Sequence, residues 1–355
     1  MWNLLKYAFS SIVTHWSKAC KSDIIPSGLE ILFWKVGAKM RIVFMGTPDF
    51  AATVLEKLIA AKHTIVLVVS QPDRPVGRKK ELLPTPVKKV AMTHQIATFQ
   101  PERIKLDHQT ILDAKPDLII TAAYGQIIPK SLIELPPLGC INVHASLLPK
   151  YRGGAPIHQA IIDGQTHTGV TIMYMEETMD TGDVISKVVE PIGEADDVGT
   201  MFFKLGQAGA KLLVDTLPSI AAKTNERQGQ NHAEATYAYN IKREDERIDW
   251  NQPAGAIYNQ IRGLNPWPTA YTSINGVNVK VFKSVIFNEA TTEACGTILE
   301  VSADAITVAT KDGVTIGLKE LQVAGKKRME IRDLLNGDHP FKVGEKFDHL
   351  GQSIK

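Results

Sequence analysis

The sequence predicts an α/β fold: a doubly wound, mostly parallel sheet followed by a small β-barrel. Three observations predict it. Short apolar runs alternate with helical stretches from residue 40 to about 222, the pattern of strands buried on both faces and joined by crossover helices. Beyond residue 246 short strands follow one another through tight turns. Between the two lies a polar, mixed stretch, 223–245, with the composition of a linker.

The elements follow in order. Arg41–Met45, Thr64–Ser70, Ala97–Phe99, Asp117–Ala123 and Cys140–His144 read as buried strands, with helices over Pro48–Ala61 and Thr85–His94 between them. Thr47-Pro48-Asp49 is a helix start: a capping hydroxyl, a proline in the first turn and an acid at the positive end of the dipole. Val170–Met175 and Val184–Pro191 flank a turn at Asp180-Thr181-Gly182-Asp183, and a long helix spans about Val198–Leu217. In the second part a helix over about Ala254–Arg262 precedes strands Tyr271–Ile274 and Val277–Phe282. These are joined by Asn275-Gly276, the strongest short hairpin signal. Asp312-Gly313 turns between Ala305–Ala309 and Val314–Leu318.

Composition bounds the function. In 355 residues, 44% are hydrophobic and 22% charged, which excludes collagen, low-complexity disorder and a disulfide scaffold. No run of 18 uncharged apolar residues predicts a membrane span. Cys20, Cys140 and Cys295 are few and widely spaced, fitting three unpaired thiols in a reducing, cytoplasmic setting. A monomer with no membrane partner is the expectation. The net charge is only +2, so any nucleic-acid site must be a local cluster.

Residues 1–39 read as foreign to the fold, because Met40 stands directly before the first strand. Trp2, Leu5, Phe9, Ile12, Val13 and Trp16 do recur at helical spacing, as in a targeting or membrane-surface helix. The segment lacks arginine and carries Asp23 and Glu30, which favours a spurious or dispensable leader over a transit peptide. The domain plan is therefore a leader (1–39), a catalytic domain (40–225), a linker (226–245) and a β-barrel domain (246–355).

Several common chemistries lack their signatures. There is no G-x-G-x-x-G after the first strand, no G-K-[ST], and no metal-ligand spacing among the ten histidines, so no metal is expected. The informative segment is Asn142-Val-His144-Ala-Ser146-Leu-Leu-Pro149, then Tyr151-Arg152-Gly153-Gly154, at the carboxyl end of a strand, where open α/β sheets bind ligands. Residues two apart on a strand share a face, so Asn142 and His144 project together. An amide donor beside an imidazole suits an oxyanion formed in acyl transfer, and the imidazole can also move a proton. A carboxylate is needed to orient that imidazole and hold it protonated; Asp180 and Asp183 are the candidates. The bland alternative is a strand end and a hairpin turn without chemistry.

At these residues the sequence resembles the 10-formyltetrahydrofolate-dependent formyltransferases. Phe44–Phe50, Gln71-Pro-Asp-Arg-Pro-Val-Gly-Arg78 and Arg262-Gly-Leu-Asn-Pro-Trp-Pro268 are similar to the branch that acts on initiator methionyl-tRNA. The resemblance covers about 40–355 and implies a Rossmann-like formyltransferase domain, a linker and a C-terminal barrel like an oligonucleotide-binding (OB) fold. It implies transfer of a formyl group from 10-formyltetrahydrofolate, as co-substrate, to the α-amine of methionyl-tRNA for translation initiation. Asn142, His144 and Asp180 match the catalytic trio. Ser146, Leu147, Leu148 and Pro149 match the folate-facing segment.

Two basic clusters stand out. Residues 73–89 carry Arg74, Arg78, Lys79, Lys80, Lys88 and Lys89 against Asp73 and Glu81, in a proline-rich stretch read as a loop on the active-site side. By resemblance this loop enters the acceptor stem, with Arg78 the matching basic residue. Lys326, Lys327 and Arg328 form the second cluster, expected to contact phosphates without reading bases. Trp267 and Tyr271 read as core residues rather than base-stacking ones. Three other readings stay open: a formyltransferase for a small amine such as glycinamide ribonucleotide or an amino sugar, an inactive scaffold that binds RNA, and a hydrolase releasing formate.

Overall fold

The computed structural model describes residues 40–76 and 80–348. The leader, with Cys20, and Arg78 and Lys79 lie outside the described residues, and so do residues 349–355. The described chain belongs to one unit that begins at Met40.

Strand β1 (Arg41–Gly46) is buried from Ile42 onward, as a strand covered on both faces must be. Helix α1 (Asp49–Ala60) follows and buries Phe50, Val54, Leu55 and Leu58 against the sheet. Each such side chain contributes about 1.5–3 kcal/mol. β2 (Thr64–Val69) pairs parallel with β1. A two-stranded excursion, β3 (Arg74–Val76) and β4 (Glu81–Leu83), precedes helix α2 (Pro86–Thr93) and edge strand β5 (Thr98–Phe99). Short helices α3 (Gln109–Asp113) and α4 (Lys130–Ile133) flank β6 (Leu118–Ala122), and β7 is Cys140–His144. Helix α5 (Pro156–Ile162) leads to β8 (His167–Tyr174) and β9 (Val184–Pro191), and α6 (Val198–Ala221) closes the layer.

The sheet order is β5-β2-β1-β6-β7-β8-β9, parallel through β7 and antiparallel for the last two. The chain reverses direction across the sheet between β1 and β6. That is the switch point at whose carboxyl edge such sheets open a crevice.

The second core is separate. Helix α7 (Ala254–Gly263) packs on strands β10 (Ala270–Ile274), β11 (Val277–Ala290), β12 (Ile298–Val301), β13 (Ile306–Ala309) and β14 (Val314–Val323). β15 (Met329–Glu330) adds to β14 and runs into α8 (Ile331–Leu335). Residues 344–348 bridge the two sheet edges: the Phe347 amide donates to the Gly296 carbonyl beside β12, and the Asp348 amide to Ser273 on β10. The small barrel is closed in this way. Asn275 and Gly276 both take positive φ, 53° and 77°, the pair a type I′ hairpin requires.

Four expectations are corrected. Thr47 does not cap α1; Pro48 holds the cap position without a side-chain bond. The Thr47 hydroxyl instead donates to the Tyr124 carbonyl and accepts from the Gln71 amide, tying together three strand ends. The stretch from 73 is a hairpin rather than a loop, Arg74 pairing with Leu83 and Pro75 with Leu82. It was invisible because β4 is exposed throughout and gives no burial alternation. Helix α6 runs on through Pro218 to Ala221, because Leu217 and Ile220 on its last turn are buried. Trp267 is 45% exposed rather than core; it sits edge-on to Phe202 with ring centroids 5.0 Å apart. Tyr271 is buried, as expected, beneath the Arg243 guanidinium at 3.7 Å.

Candidate active site

Two neighbouring strands deliver the first side chains. β7 ends at His144, and Asn142, two residues earlier, shares its face. β6 lies alongside with Thr121 in register with Asn142. The Thr121 hydroxyl donates to Asn142 Oδ1 at 2.8 Å. With its oxygen engaged, the amide keeps its Nδ2 hydrogens for a ligand.

His144 is 6% exposed. Its Nε2 donates to the Tyr151 carbonyl at 3.0 Å, and its Nδ1 lies 3.7 Å from Asp180 Oδ1. The second contact is an ion-pair distance, longer than a hydrogen bond. Asp180 occupies the left-handed region (φ 52°), which aspartate tolerates better than most residues. Its Oδ2 accepts from the Gly153 amide at 2.8 Å. Gly153 has φ 119°, and a Cβ there would stand 2.5 Å from the Ala238 carbonyl, so only glycine fits. Asp183, the other candidate carboxylate, binds Arg227 at 2.9 Å. The structure thus separates the two candidates and brings Asp180 to His144.

The 146–149 segment lies beside the trio. Ser146 and Leu148 are buried: the Ser146 hydroxyl donates to the Lys150 carbonyl, and Leu148 packs with Met173 and Val184. What they offer a ligand is backbone shape, while Leu147 and Pro149 remain partly exposed. Thr171 stitches the segment down, donating to the Ser146 carbonyl and accepting from the Leu148 amide. Lys187 donates to the Leu148 carbonyl at 2.5 Å, and burial pulls its pKa below the usual lysine value.

A crevice of about 660 Å³ opens at the carboxyl ends of β1, β2 and β6, lined by Thr47, Gln71, Arg74, Lys89, Tyr124 and Gly125 among others. Burial pushes the Tyr124 phenol up to about 12.

The basic residues are unequal. Arg74 and Lys80 are exposed on the hairpin. Lys88 binds Asp73 at 2.5 Å, which removes one free cation from the first cluster. Burial opposes ionisation of Asp73, but hydrogen bonds from Gln100 and Lys88 and the Lys88 charge outweigh it and hold the carboxyl below its usual value. In the second cluster Lys327 is exposed, Lys326 bonds to the Asp338 carbonyl, and Arg328 forks onto Glu320 at 2.6 and 2.8 Å. Arg328 also covers the Phe282 ring.

Thr121 and Thr171 escaped the sequence reading: Thr121 sits inside the apolar run of β6, and Thr171 acts from a distant strand. Tyr151 and Gly153 lie in the segment singled out after Pro149, but they act through backbone groups, which side-chain chemistry does not announce.

A mostly parallel sheet with an amide and an imidazole on its last parallel strand, a carboxylate brought to that imidazole, and a β-barrel appended defines a group-transfer enzyme suited to acyl chemistry. The chain belongs to the formyl transferase family: the formyl transferase model matches residues 40–217 and that of the formyl transferase C-terminal domain residues 240–339. It is 53% identical over 308 residues to a methionyl-tRNA formyltransferase of Staphylococcus aureus, covering 86% of this chain and 99% of that one. Among solved structures it is similar to WlaRD, a sugar 3N-formyl transferase crystallised with dTDP and 5-N-formyl-THF. There the TM-score is 0.61, identity is 21%, and 82% of this chain and 100% of that one are covered. It is also similar to HypX from Aquifex aeolicus in complex with tetrahydrofolic acid, with a TM-score of 0.60 and 17% identity over 84% of this chain. The chain spans about half the length of HypX, covering 47% of it. Among the described residues, no helix is long and apolar enough to cross a membrane.

Proposed function

We propose that this protein formylates the α-amine of initiator methionyl-tRNA, with 10-formyltetrahydrofolate as formyl donor, yielding N-formylmethionyl-tRNA for translation initiation. The observation that carries this is the convergence of Asn142, His144 and Asp180 at one sheet edge, in a chain 53% identical to a methionyl-tRNA formyltransferase.

The chemistry follows from the geometry. The neutral α-amine attacks the formyl carbon, forming a C–N bond and a tetrahedral oxyanion. Asn142 Nδ2 donates to that oxyanion. His144 Nε2 is held by Tyr151, so Nδ1, facing Asp180, is the nitrogen that meets the reacting atoms. Collapse breaks the bond to the folate nitrogen, which takes a proton as the amine loses one. Asp180 provides negative charge beside the imidazole through that exchange. The partly exposed Leu147 and Pro149 and the pinned backbone of 146–149 suit the flat, mostly apolar body of a folate. The 660 Å³ crevice, which the basic hairpin flanks and none of the trio lines, suits a part of the tRNA acceptor end next to the reacting amine.

In this reading residues 40–225 carry the reacting groups, 226–245 join the two parts and pack along the site, 246–355 grip the tRNA, and 1–39 are dispensable. Arg74, Arg78, Lys79 and Lys80 meet the acceptor stem, and Lys326 and Lys327 meet phosphates. The protein works as a cytoplasmic monomer.

The test is a formyl-transfer assay of the full chain with 10-formyltetrahydrofolate and either charged initiator tRNA or free methionine. Formylation of the tRNA alone is expected. Transfer to small amines with none to tRNA would overturn the assignment in favour of a small-amine enzyme. Release of formate without an acceptor would point to hydrolysis.

A further inference from the structure

The segment between the two cores is strapped to the active site. The Thr236 carbonyl accepts from the Arg152 amide, the Ala238 amide donates to Arg152, and the Ala238 carbonyl accepts from Ala155. The Thr236 hydroxyl takes the Tyr151 amide. Further back, Gln228 and Val184 exchange both backbone bonds. Two further side chains on this strap, Gln230 and His232, reach the buried Arg152, and Gln230 also reaches the Asp180 turn. Gln230 Oε1 accepts from Arg152 Nη2 at 2.7 Å and Nε at 3.2 Å. Gln230 Nε2 donates to the carbonyls of Asp180 and Gly182, both at 2.8 Å.

Arg152 makes this arrangement unusual. It is 1% exposed, and among the described residues its side chain meets Gln230 Oε1 and His232 Nδ1, with no carboxylate in hydrogen-bond or ion-pair contact. A buried guanidinium held by an amide rather than a carboxylate is costly, and a structural gain from that amide would offset the cost. That gain is visible one step away. Arg152 sits between Tyr151, whose carbonyl holds His144, and Gly153, whose amide holds Asp180. Gln230 joins this tripeptide to the peptide groups of the Asp180 turn.

We infer that Gln230 is a positioning residue for formyl transfer: it fixes the left-handed turn that sets the Asp180 carboxylate opposite His144. Glutamine suits the place because it must accept from a cation at one end and donate to two carbonyls at the other. Glutamate would keep the first contact and face the carbonyls with like partial charge. Leucine would lose both. The inference rests on the formyltransferase function above.

The test compares wild type, Gln230→Glu and Gln230→Leu in steady-state formylation of initiator methionyl-tRNA. Transfer by the wild type is established first, so failure of the function and failure of this inference are distinguishable. A misplacement of about an ångström at a reacting group costs about 10²-fold. Both variants should therefore lose about 10–10²-fold in kcat, with KM for folate and for tRNA changed less than about three-fold. The decisive readout is a double-mutant cycle with Asp180→Asn. If Gln230 acts through Asp180, Gln230→Glu should cost little further rate in the Asp180→Asn background. Multiplicative losses, a defect carried by KM, or full activity in Gln230→Glu would overturn the proposal. Should Gln230→Leu fail to fold, Gln230→Glu, which retains the Arg152 contact, decides the question.

Discussion

The imidazole of His144 is held by the main-chain carbonyl of Tyr151 at 3.0 Å, while Asp180 stands 3.7 Å from its other nitrogen. Orientation and charge therefore come from different residues. A carboxylate was expected to do both; here a backbone oxygen fixes the ring and Asp180 supplies the field. Asp180→Asn should preserve the ring's placement and the bond from Gly153, yet lower kcat by about 10² or more, the scale of proton-transfer assistance. Asp180→Ala should lose in addition about 1 kcal/mol of stability, from the missing hydrogen bond and the left-handed backbone. Thermal melts beside kcat separate the two effects, and equal melting temperatures for both variants would contradict the structural part.

Asn142 faces the reaction with its Nδ2 because Thr121 occupies its Oδ1. Removing one oxyanion donor costs about 10²–10³ in rate. Asn142→Ala should show that loss in kcat with substrate KM values little changed. A loss of ten-fold or less would refute the role. Thr121→Val frees the amide to rotate and should give a smaller loss in the same parameter.

Asp73 joins the foot of the basic hairpin to α2 through Lys88 and to Gln100 at 2.7 Å. Its folded pKa lies below the ordinary 3.8, so its ionised form stabilises the fold. That stabilisation is fully present above the ordinary value and is lost as pH falls through the depressed folded value. Between neutral pH and about pH 3, wild type should lose stability more steeply than Asp73→Asn. Asp73→Asn should also be cut faster by trypsin after Lys80 at neutral pH. Matching pH–stability curves would remove Asp73 from this role.

The second basic cluster divides by partner. Lys327 is exposed and Lys326 bonds a neutral carbonyl of Asp338, so both keep their charge for phosphates, whereas the Arg328 fork is already closed on the Glu320 carboxylate. The slope of log affinity for tRNA against log salt should fall by about one for each of Lys326→Ala and Lys327→Ala. Arg328→Ala should leave the slope unchanged and instead lower the melting temperature, because it uncovers Phe282 and leaves Glu320 unpaired. An unchanged slope in the Lys326 and Lys327 double variant would take this patch out of the interface.

Much of this protein was legible in its sequence, for a physical reason. Parallel strands buried on both faces are nearly continuously apolar, so β1 and β6 announce themselves, and on β7 strand alternation forces Asn142 and His144 onto one face. Asn275-Gly276 names its own hairpin because few other pairs accept two positive φ angles. Local pattern alone decided these features. It could not choose between Asp180 and Asp183, which share one turn and one chemistry; only the tertiary position of Gly153 and Arg227 separated them. It hid the β3–β4 hairpin, which buries nothing on its outer strand, and it misread Thr47, whose hydroxyl found partners on β2 and β6 rather than in its own helix. Above all it read 223–245 as a connector, because polar residues without periodicity look like a linker. The fold turned that stretch into a strap, since Gln230 meets Arg152 and Asp180 only when residues 78 and 50 positions apart in the chain are packed together.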